Sequence, residues 1–96
     1  MIVEERLEAV SDVFKAVSHP LRLEVILTLL ERKKLYVLEL QALLGVSQSL
    51  LSQHLLWLRK ARLIKKKRVE NKSYYSLTDR GRELAFLTKK LLEGKK

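Results

Sequence analysis

The chain of 96 residues has no cysteine, a single proline and three isolated glycines. Without cysteine there can be no disulfide, no thiolate metal ligand and no cysteine nucleophile. Isolated glycines cannot form a glycine-rich phosphate loop, and we find neither a pair of catalytic carboxylates nor a serine–histidine–acid set. The sequence therefore predicts a protein that is not an enzyme and has no cofactor.

Long apolar runs and a leader are also missing. No apolar run reaches the ~18 residues of a membrane span, and the acidic segment MIVEERLEAV lacks the charged-then-apolar pattern of a signal peptide. With 47% hydrophobic and 32% charged residues, the composition is that of a soluble protein. We expect one cytoplasmic domain over residues 1–96, with no membrane partner.

Positive charge is present in excess and is unevenly distributed. The net charge is +9, yet residues 1–31 carry six acids and three bases, whereas residues 59–72 carry eight bases and one acid. A clustered basic segment favours a nucleic-acid partner. The alternative is a lysine-rich solvated surface, which would also suit a thermophilic protein.

Apolar residues recur every three or four positions near the amino terminus and predict an amphipathic first helix. We expect it to end near Ser18, because His19 precedes Pro20 and a residue before proline avoids the helical region. Pro20 suits the first turn of a second helix. The stripe of the first helix is Val3, Leu7, Val10, Phe14 and Val17, and the second helix is expected to bury Leu23, Ile26, Leu27 and Leu30.

Residues 38–62 have the pattern of a helix-turn-helix. A short third helix from Leu38 is expected to end at Gly45, a good left-handed cap, and Ser47 is a natural N-cap for the fourth helix. At 100° per residue the fourth helix has an inner face of Leu51, Leu55 and Leu58, flanked by Leu50, His54, Trp57 and Ala61. Its opposite arc is Ser49, Ser52, Gln53, Leu56, Arg59 and Lys60. Short polar residues on the first turns are what a major-groove reading helix requires.

A basic β-hairpin is expected over residues 63–78, preceded by a short apolar link at 35–37 that could form a brief strand. Its strands are predicted at 63–69 and 73–77, and Asn71 in the turn tolerates positive φ. Side-chain alternation means that its cations cannot all face one side. The predicted DNA-binding residues are Gln48, Ser49, Ser52, Gln53, His54, Arg59, Lys65, Lys67, Arg68 and Lys72.

Several motifs resemble those of the ArsR/SmtB family of winged-helix repressors. SHPLRLEVILTLL resembles that family's second helix, LGVSQSLLSQHLLWLRKARLI its helix-turn-helix, and the hairpin ending YYSL its wing. SLTDRGRELA is also similar to the segment after the wing in MarR-like and PadR-like regulators. The resemblance implies a mainly α (α+β) fold, a winged helix-turn-helix of five helices with a β-hairpin wing between helices 4 and 5. It also implies a homodimeric repressor that binds double-stranded DNA at an inverted repeat.

The same resemblance implies that the terminal helices, 1–18 and 79–94, pack across the two-fold axis. Apolar seams on both helices support this independently, because exposed stripes of that length usually mark an interface. The alternative is that each seam packs on its own helix-turn-helix. The predicted dimer residues are Val3, Leu7, Val10, Phe14, Leu84, Leu87 and Leu91.

The chain departs from the family's metal sensors. Where they place thiolates, KLYVLEL has Tyr36 and Leu38, and the last helix contains no histidine. Two histidines, His19 and His54, make a weak ligand set, so we expect no metal. Arg62 stands where relatives often have glycine. If the backbone is left-handed there, a side chain destabilises the turn by on the order of 1 kcal/mol.

The competing function is a winged-helix module for protein or RNA contact within a larger assembly. RNA binding usually relies on aromatic stacking platforms, and this chain has only six aromatic residues. A protein-contact module would not need small polar residues at Gln48, Ser49, Ser52 and Gln53. The sequence therefore favours a reader of duplex DNA.

Overall fold

The computed structural model describes residues 3–94; residues 1–2 and 95–96 of the predicted domain lie outside the described residues. Five helices accompany a small sheet, and the hairpin lies between the fourth and fifth helices, as predicted. The elements are α1 (Glu4–Val17), α2 (Pro20–Arg32), β1 (Lys34–Tyr36), α3 (Val37–Leu44), α4 (Gln48–Lys60), β2 (Ile64–Val69), β3 (Lys72–Leu77) and α5 (Asp79–Glu93). Within residues 3–94, none of the helices has the length and apolarity that crossing a bilayer requires.

The sheet has three antiparallel strands in the order β1-β3-β2. The apolar link before α3 therefore is a strand, but it ends at Tyr36, and Val37 already belongs to α3. The reason is a local hydrogen bond: the Tyr36 N–H donates to the Glu39 carboxylate at 3.1 Å. This contact satisfies a backbone donor at the start of the helix, where no intrahelical acceptor exists.

Local capping fixes the ends of the helix-turn-helix as predicted. Gly45 closes α3 in the left-handed region, with φ 67° and ψ 36°. The Ser47 hydroxyl accepts from the Leu50 N–H at 3.2 Å and opens α4. The Thr78 hydroxyl accepts from the Gly81 N–H and opens α5. These caps hold α3 and α4 in the angular arrangement that exposes α4.

The turn after α4 is left-handed at Arg62, with φ 59°. The Arg62 N–H donates to the Arg59 carbonyl at 2.9 Å and the Leu63 N–H to the Leu58 carbonyl at 3.0 Å. This pair of bonds is a Schellman motif, whose left-handed position is usually glycine. The helix therefore ends here with an arginine in a strained conformation, which costs on the order of 1 kcal/mol.

Gly81 permits α5 to pack closely on that turn. A methyl group at this position would overlap the carbonyl oxygen of Leu63. The Thr78 N–H donates to the same Leu63 carbonyl at 3.1 Å. The start of α5 is thus fixed directly against the end of α4 and the base of the wing.

The core lies between α2, α4 and the inner face of the sheet. Its contributions from α4 are the predicted Leu51, Leu55 and Leu58. The buried face of α2 differs from the prediction, because Val25, Ile26 and Leu29 are nearly inaccessible whereas Leu23, Leu27 and Leu30 are only half-buried. The helix contacts α1, α4, α5 and the sheet. Because it packs on several sides, its buried residues do not follow the single stripe that periodicity predicts.

Candidate nucleic-acid interface

The outer face of α4 is exposed along its whole length. Leu51, Leu55 and Leu58 turn inward, so their helical positions leave the opposite arc in solvent. The exposed residues of this arc are Gln48, Ser49, Ser52, Gln53, Leu56, Arg59 and Lys60. The first two turns therefore present amide and hydroxyl groups, and the last turn presents cations.

Two flanking residues that we expected to anchor α4 in the core are exposed. Leu50 is 43% and Trp57 is 50% accessible. The guanidinium of Arg22 lies 4.9 Å from the centre of the Trp57 ring, a favourable cation–π arrangement. Trp57 therefore holds α4 against α2 from the surface.

His54 is not available to DNA, and the prediction that it binds DNA is wrong. The side chain is only 7% accessible, and its Nδ1 accepts a hydrogen bond from Nε of Arg22 at 2.9 Å. Burial lowers the pKa of His54 below its ordinary value, and the positive charges of His19 and Arg22 lower it further. His54 is thus a neutral packing and hydrogen-bonding residue.

The register of the hairpin divides its cations between two faces. Lys65 and Lys67 pair with Ser76 and Tyr74, whereas Lys66 and Arg68 pair with Tyr75 and Ser73. Directly paired residues lie on the same side of a sheet. The four predicted wing cations therefore do not form one surface: Lys65, Lys67 and Lys72 lie on one side and Arg68 on the other.

Lys66 is a further hairpin cation that is absent from the predicted DNA-binding residues listed above. It shares a face with Arg68 and with the buried Tyr75. Burial raises the pKa of Tyr75, and the nearby positive charge of Arg59 partly offsets this. This face of the wing is therefore the one next to α4, and strand alternation relative to the apolar Ile64 is the signal that identifies it.

The turn of the wing differs in detail from the prediction. It has two residues, Glu70 and Asn71, since β3 already begins at Lys72. The positive φ, 56°, falls on Glu70 and not on Asn71. Exposed Arg68 and Lys72 lie next to this turn, so the tip of the wing is basic.

Comparison with known proteins places this architecture in a family. Residues 19–66 match the bacterial regulatory proteins of the arsR family. The chain belongs to this family. The family consists of regulatory proteins, which confirms that the chain is not an enzyme.

Named relatives agree with the assignment. This ArsR-family chain is 37% identical over 75 residues to a transcriptional repressor SmtB homolog from Synechocystis, a match covering 78% of this chain and 56% of that protein. The matched region thus spans little more than half of that relative's length. HlyU from Vibrio cholerae has the same fold, with a TM-score of 0.84 and 31% identity over 93% of this chain and 97% of that one. The structure of the transcriptional repressor PagR of Bacillus anthracis matches with a TM-score of 0.80 and 30% identity, over 90% of this chain and 99% of that one.

The residues of this chain do not fit a metal centre of the thiolate type expected from the family's metal sensors. At the third-helix position, Leu38 offers no donor atom, and the backbone of Tyr36 caps α3. His19 and His54 do come together, with ring centres 4.4 Å apart. However, Nδ1 of His19 accepts from the Leu21 N–H and Nδ1 of His54 accepts from Arg22. Among residues 3–94, no three His, Asp or Glu side chains form a metal-binding group.

A second surface is apolar and lies between the two terminal helices. Ala9, Val10, Val13 and Phe14 of α1 face Leu84 and Leu87 of α5 across a groove of about 230 Å³. Leu84 is half-buried. The other predicted dimer residues, Val3, Leu7, Val10, Phe14, Leu87 and Leu91, are between 46% and 68% accessible in the single chain. An apolar stripe of this length on a charged protein is a candidate interface.

Proposed function

We propose that this protein is a transcriptional repressor that binds double-stranded DNA as a homodimer and needs no metal. The observation that carries the proposal is the exposed polar face of α4, which stands beside a basic wing in an ArsR-family fold. Two relatives, the SmtB homolog and PagR, are named as transcriptional repressors. A cytoplasmic location follows from this role.

Sequence reading is assigned to the first two turns of α4. Gln48 and Gln53 can offer a donor and an acceptor together, which is the pattern that adenine presents in the major groove. Ser49 and Ser52 can pair with several bases or with a phosphate. Leu56 is 49% accessible in line with them, and it is suited to contact a thymine methyl group.

Affinity is assigned mainly to the cations around α4 and the wing. Arg59 and Lys60 follow the reading residues along α4, and Lys66 and Arg68 continue the basic surface onto the near face of the wing. Lys67 and Lys72 extend it along the far face towards the tip. Such contacts position a protein on DNA without reading its sequence, and they make binding strongly dependent on salt.

Dimerisation is assigned to the groove between α1 and α5. A second copy of the same groove would cover the exposed Leu7, Val10, Phe14 and Leu87. A two-fold interface is self-complementary. It would present the two α4 helices to half-sites about 34 Å apart, one turn of DNA, so the operator should be an inverted repeat.

The tyrosines on the outer face of the sheet argue against the competing RNA-binding function. Tyr36 and Tyr74 contact each other edge to face, with ring centres 5.7 Å apart. The Lys72 ammonium lies 4.5 Å from the Tyr36 ring centre and the Lys34 ammonium 5.3 Å from that of Tyr74. These rings are therefore already in contact with neighbours, whereas base stacking needs open aromatic faces.

Selection of bound sequences from random duplex DNA tests the proposal. We expect an enriched inverted repeat whose half-site centres are about 10 base pairs apart. Enrichment of a single unrepeated site would contradict the dimeric arrangement. No enrichment over an unselected pool would contradict sequence-specific duplex binding.

A further inference from the structure

A basic cleft lies at the base of the wing, and Lys65 is the one residue predicted to bind DNA that lines it. The cleft has a volume of about 410 Å³ and is lined by Leu29, Leu30, Lys33, Lys34, Lys65, Ser76, Leu77 and Arg82. Its four cations come from the end of α2, from β1, from β2 and from α5. Of the described residues that line it, none is acidic. Four like charges around one concave site create a strong local positive potential.

One wall of the basic cleft is built by the sheet. Lys34 of β1 and Lys65 of β2 both pair with Ser76 of β3. Paired residues share a face and neighbouring strands are about 4.8 Å apart, so the two lysines flank a hydroxyl in a single row. An anion bound in this row can accept hydrogen bonds from the hydroxyl and from the two ammonium groups.

The other wall comes from helices. Lys33 caps the end of α2 and Arg82 lies in the first turns of α5. Both are exposed. An arginine and a lysine that face a row of two more lysines can bind different oxygens of one anion, because a guanidinium offers several donors in a fixed plane and an ammonium acts as a point charge.

Three leucines contribute apolar side chains to the lining of the basic cleft. Leu29 and Leu77 are buried core residues and Leu30 is half-buried. A cavity of several hundred Å³ that combines apolar side chains with a few convergent polar groups has the character of a small-molecule site. We propose that this cleft binds a small organic anion that carries two negative charges and a short apolar portion.

Its position separates the basic cleft from the wing tip. Lys65 precedes Val69, the last residue of β2, by four positions, which corresponds to about 13 Å of strand. The turn at Glu70 and Asn71 is thus at the opposite end of the strands.

The basic cleft joins the wing to the rest of the molecule. Lys65 belongs to the wing, whereas Lys33 and Arg82 belong to helices, so a bound anion would connect the base of the wing to α2 and α5. A change in duplex affinity on anion binding would follow from this connection. That consequence rests on the proposed function, but the binding site itself does not.

Calorimetric titration of the full chain with hexyl phosphate tests the proposal. We expect one molecule bound per chain, at least about tenfold more tightly than inorganic phosphate, and no binding of hexanol. The double variant Lys33→Ala/Arg82→Ala should bind hexyl phosphate at least about tenfold more weakly. Absence of hexyl phosphate binding to the unmodified chain would overturn the proposal.

A charge-matched control variant distinguishes binding in the cleft from a general attraction of hexyl phosphate to a basic protein. Arg32→Ala/Lys89→Ala removes the same charge at exposed positions that do not line the basic cleft, and it should bind hexyl phosphate within about twofold of the unmodified chain. An equal loss in both double variants would overturn the proposal. Far-UV circular dichroism checks that both are folded, and Arg82→Ala alone should retain the fold and show part of the loss.

Duplex binding by the same two variants tests whether the basic cleft binds a small anion or a phosphate of the DNA backbone. Without hexyl phosphate, the cleft variant should bind duplex within about threefold of the charge-matched control. A much larger loss in the cleft variant would assign these cations to the DNA backbone and overturn the proposal. If the unmodified chain and both variants fail to bind duplex while the unmodified chain binds hexyl phosphate, the proposed function fails and the anion site stands.

Discussion

Nε of Arg22 donates a hydrogen bond to Nδ1 of His54 at 2.9 Å and thereby connects α2 to the inner side of α4. The same guanidinium donates to the carbonyls of Lys15 and Ala16 at the end of α1, each at 3.3 Å. Its plane also lies over Trp57. One side chain thus fixes the relative positions of α1, α2 and α4, although it is 32 residues from its partner in sequence.

Replacing Arg22 by lysine keeps the positive charge but should destabilise the protein. We expect Arg22→Lys to lower the free energy of unfolding by about 1–3 kcal/mol, because an ammonium cannot make all these bonds and the buried His54 nitrogen loses its donor. Urea unfolding at fixed protein concentration measures the change. Arg32→Lys on the exposed end of the same helix is the control and should change stability by less than about 0.5 kcal/mol. Equal effects would show that the hydrogen bonds of Arg22 contribute little.

Acidification should also weaken this cluster, because His54 must be neutral to accept from Arg22. Its pKa in the folded protein is lowered from 6.5, so the unfolded chain binds a proton at higher pH than the folded chain does. The stabilisation is therefore present above pH 6.5 and is lost as pH falls through the lower folded pKa. We expect His54→Gln, which keeps an acceptor but cannot titrate, to lose less stability between pH 7 and pH 5. Parallel losses in both proteins would argue against a role for His54 titration.

The proposed dimer interface predicts the effect of a charge in the apolar groove. Leu87→Glu should shift the protein towards monomer in sedimentation at micromolar concentration, because each dimer would bury two carboxylates. Leu43→Glu is a matched control, since Leu43 is equally accessible, 47% in both cases, but lies on α3. A Leu87→Glu variant that stays dimeric would show that the interface lies elsewhere.

Lys66 should contribute to DNA affinity from the α4 side of the wing. We expect Lys66→Ala to weaken duplex binding for all sequences alike and to reduce the slope of log K against log salt by about 0.9, the value for one neutralised phosphate. Lys89→Ala on the far part of α5 is the control and should leave the slope unchanged. An unaltered slope in Lys66→Ala would exclude this residue from the phosphate contacts.

Local signals were sufficient to predict the element order and most helix ends. Pro20, Gly45 and Ser47 act on backbone groups within a few residues of themselves, so their effects can be read without the fold. The faces of α4 followed from helical periodicity, because this helix packs on the core with a single stripe. For α2, which packs on several sides, the same reasoning identified Ile26 but missed Val25 and Leu29.

Tertiary contacts account for what the sequence did not reveal. His54 lies at the edge of the core arc, and only its pairing with Arg22 and the neighbouring His19 ring removes it from the DNA-binding surface. The division of the wing cations required the register of β2 on β3. The basic cleft joins Lys33, Lys65 and Arg82 from three distant segments, a juxtaposition that no spacing in the sequence indicates.

The central claim is that the exposed face of α4 reads duplex DNA, and one equilibrium measurement tests it most directly. The fourfold variant with alanine at Gln48, Ser49, Ser52 and Gln53 keeps every cation and every buried residue of α4. Binding to the selected duplex and to a scrambled duplex is compared at one salt concentration, for this variant and for the unmodified chain. We expect the variant to lose its preference for the selected duplex, at about 1–3 kcal/mol per lost base contact, while its affinity for the scrambled duplex changes little. A variant that retains the full preference would contradict it.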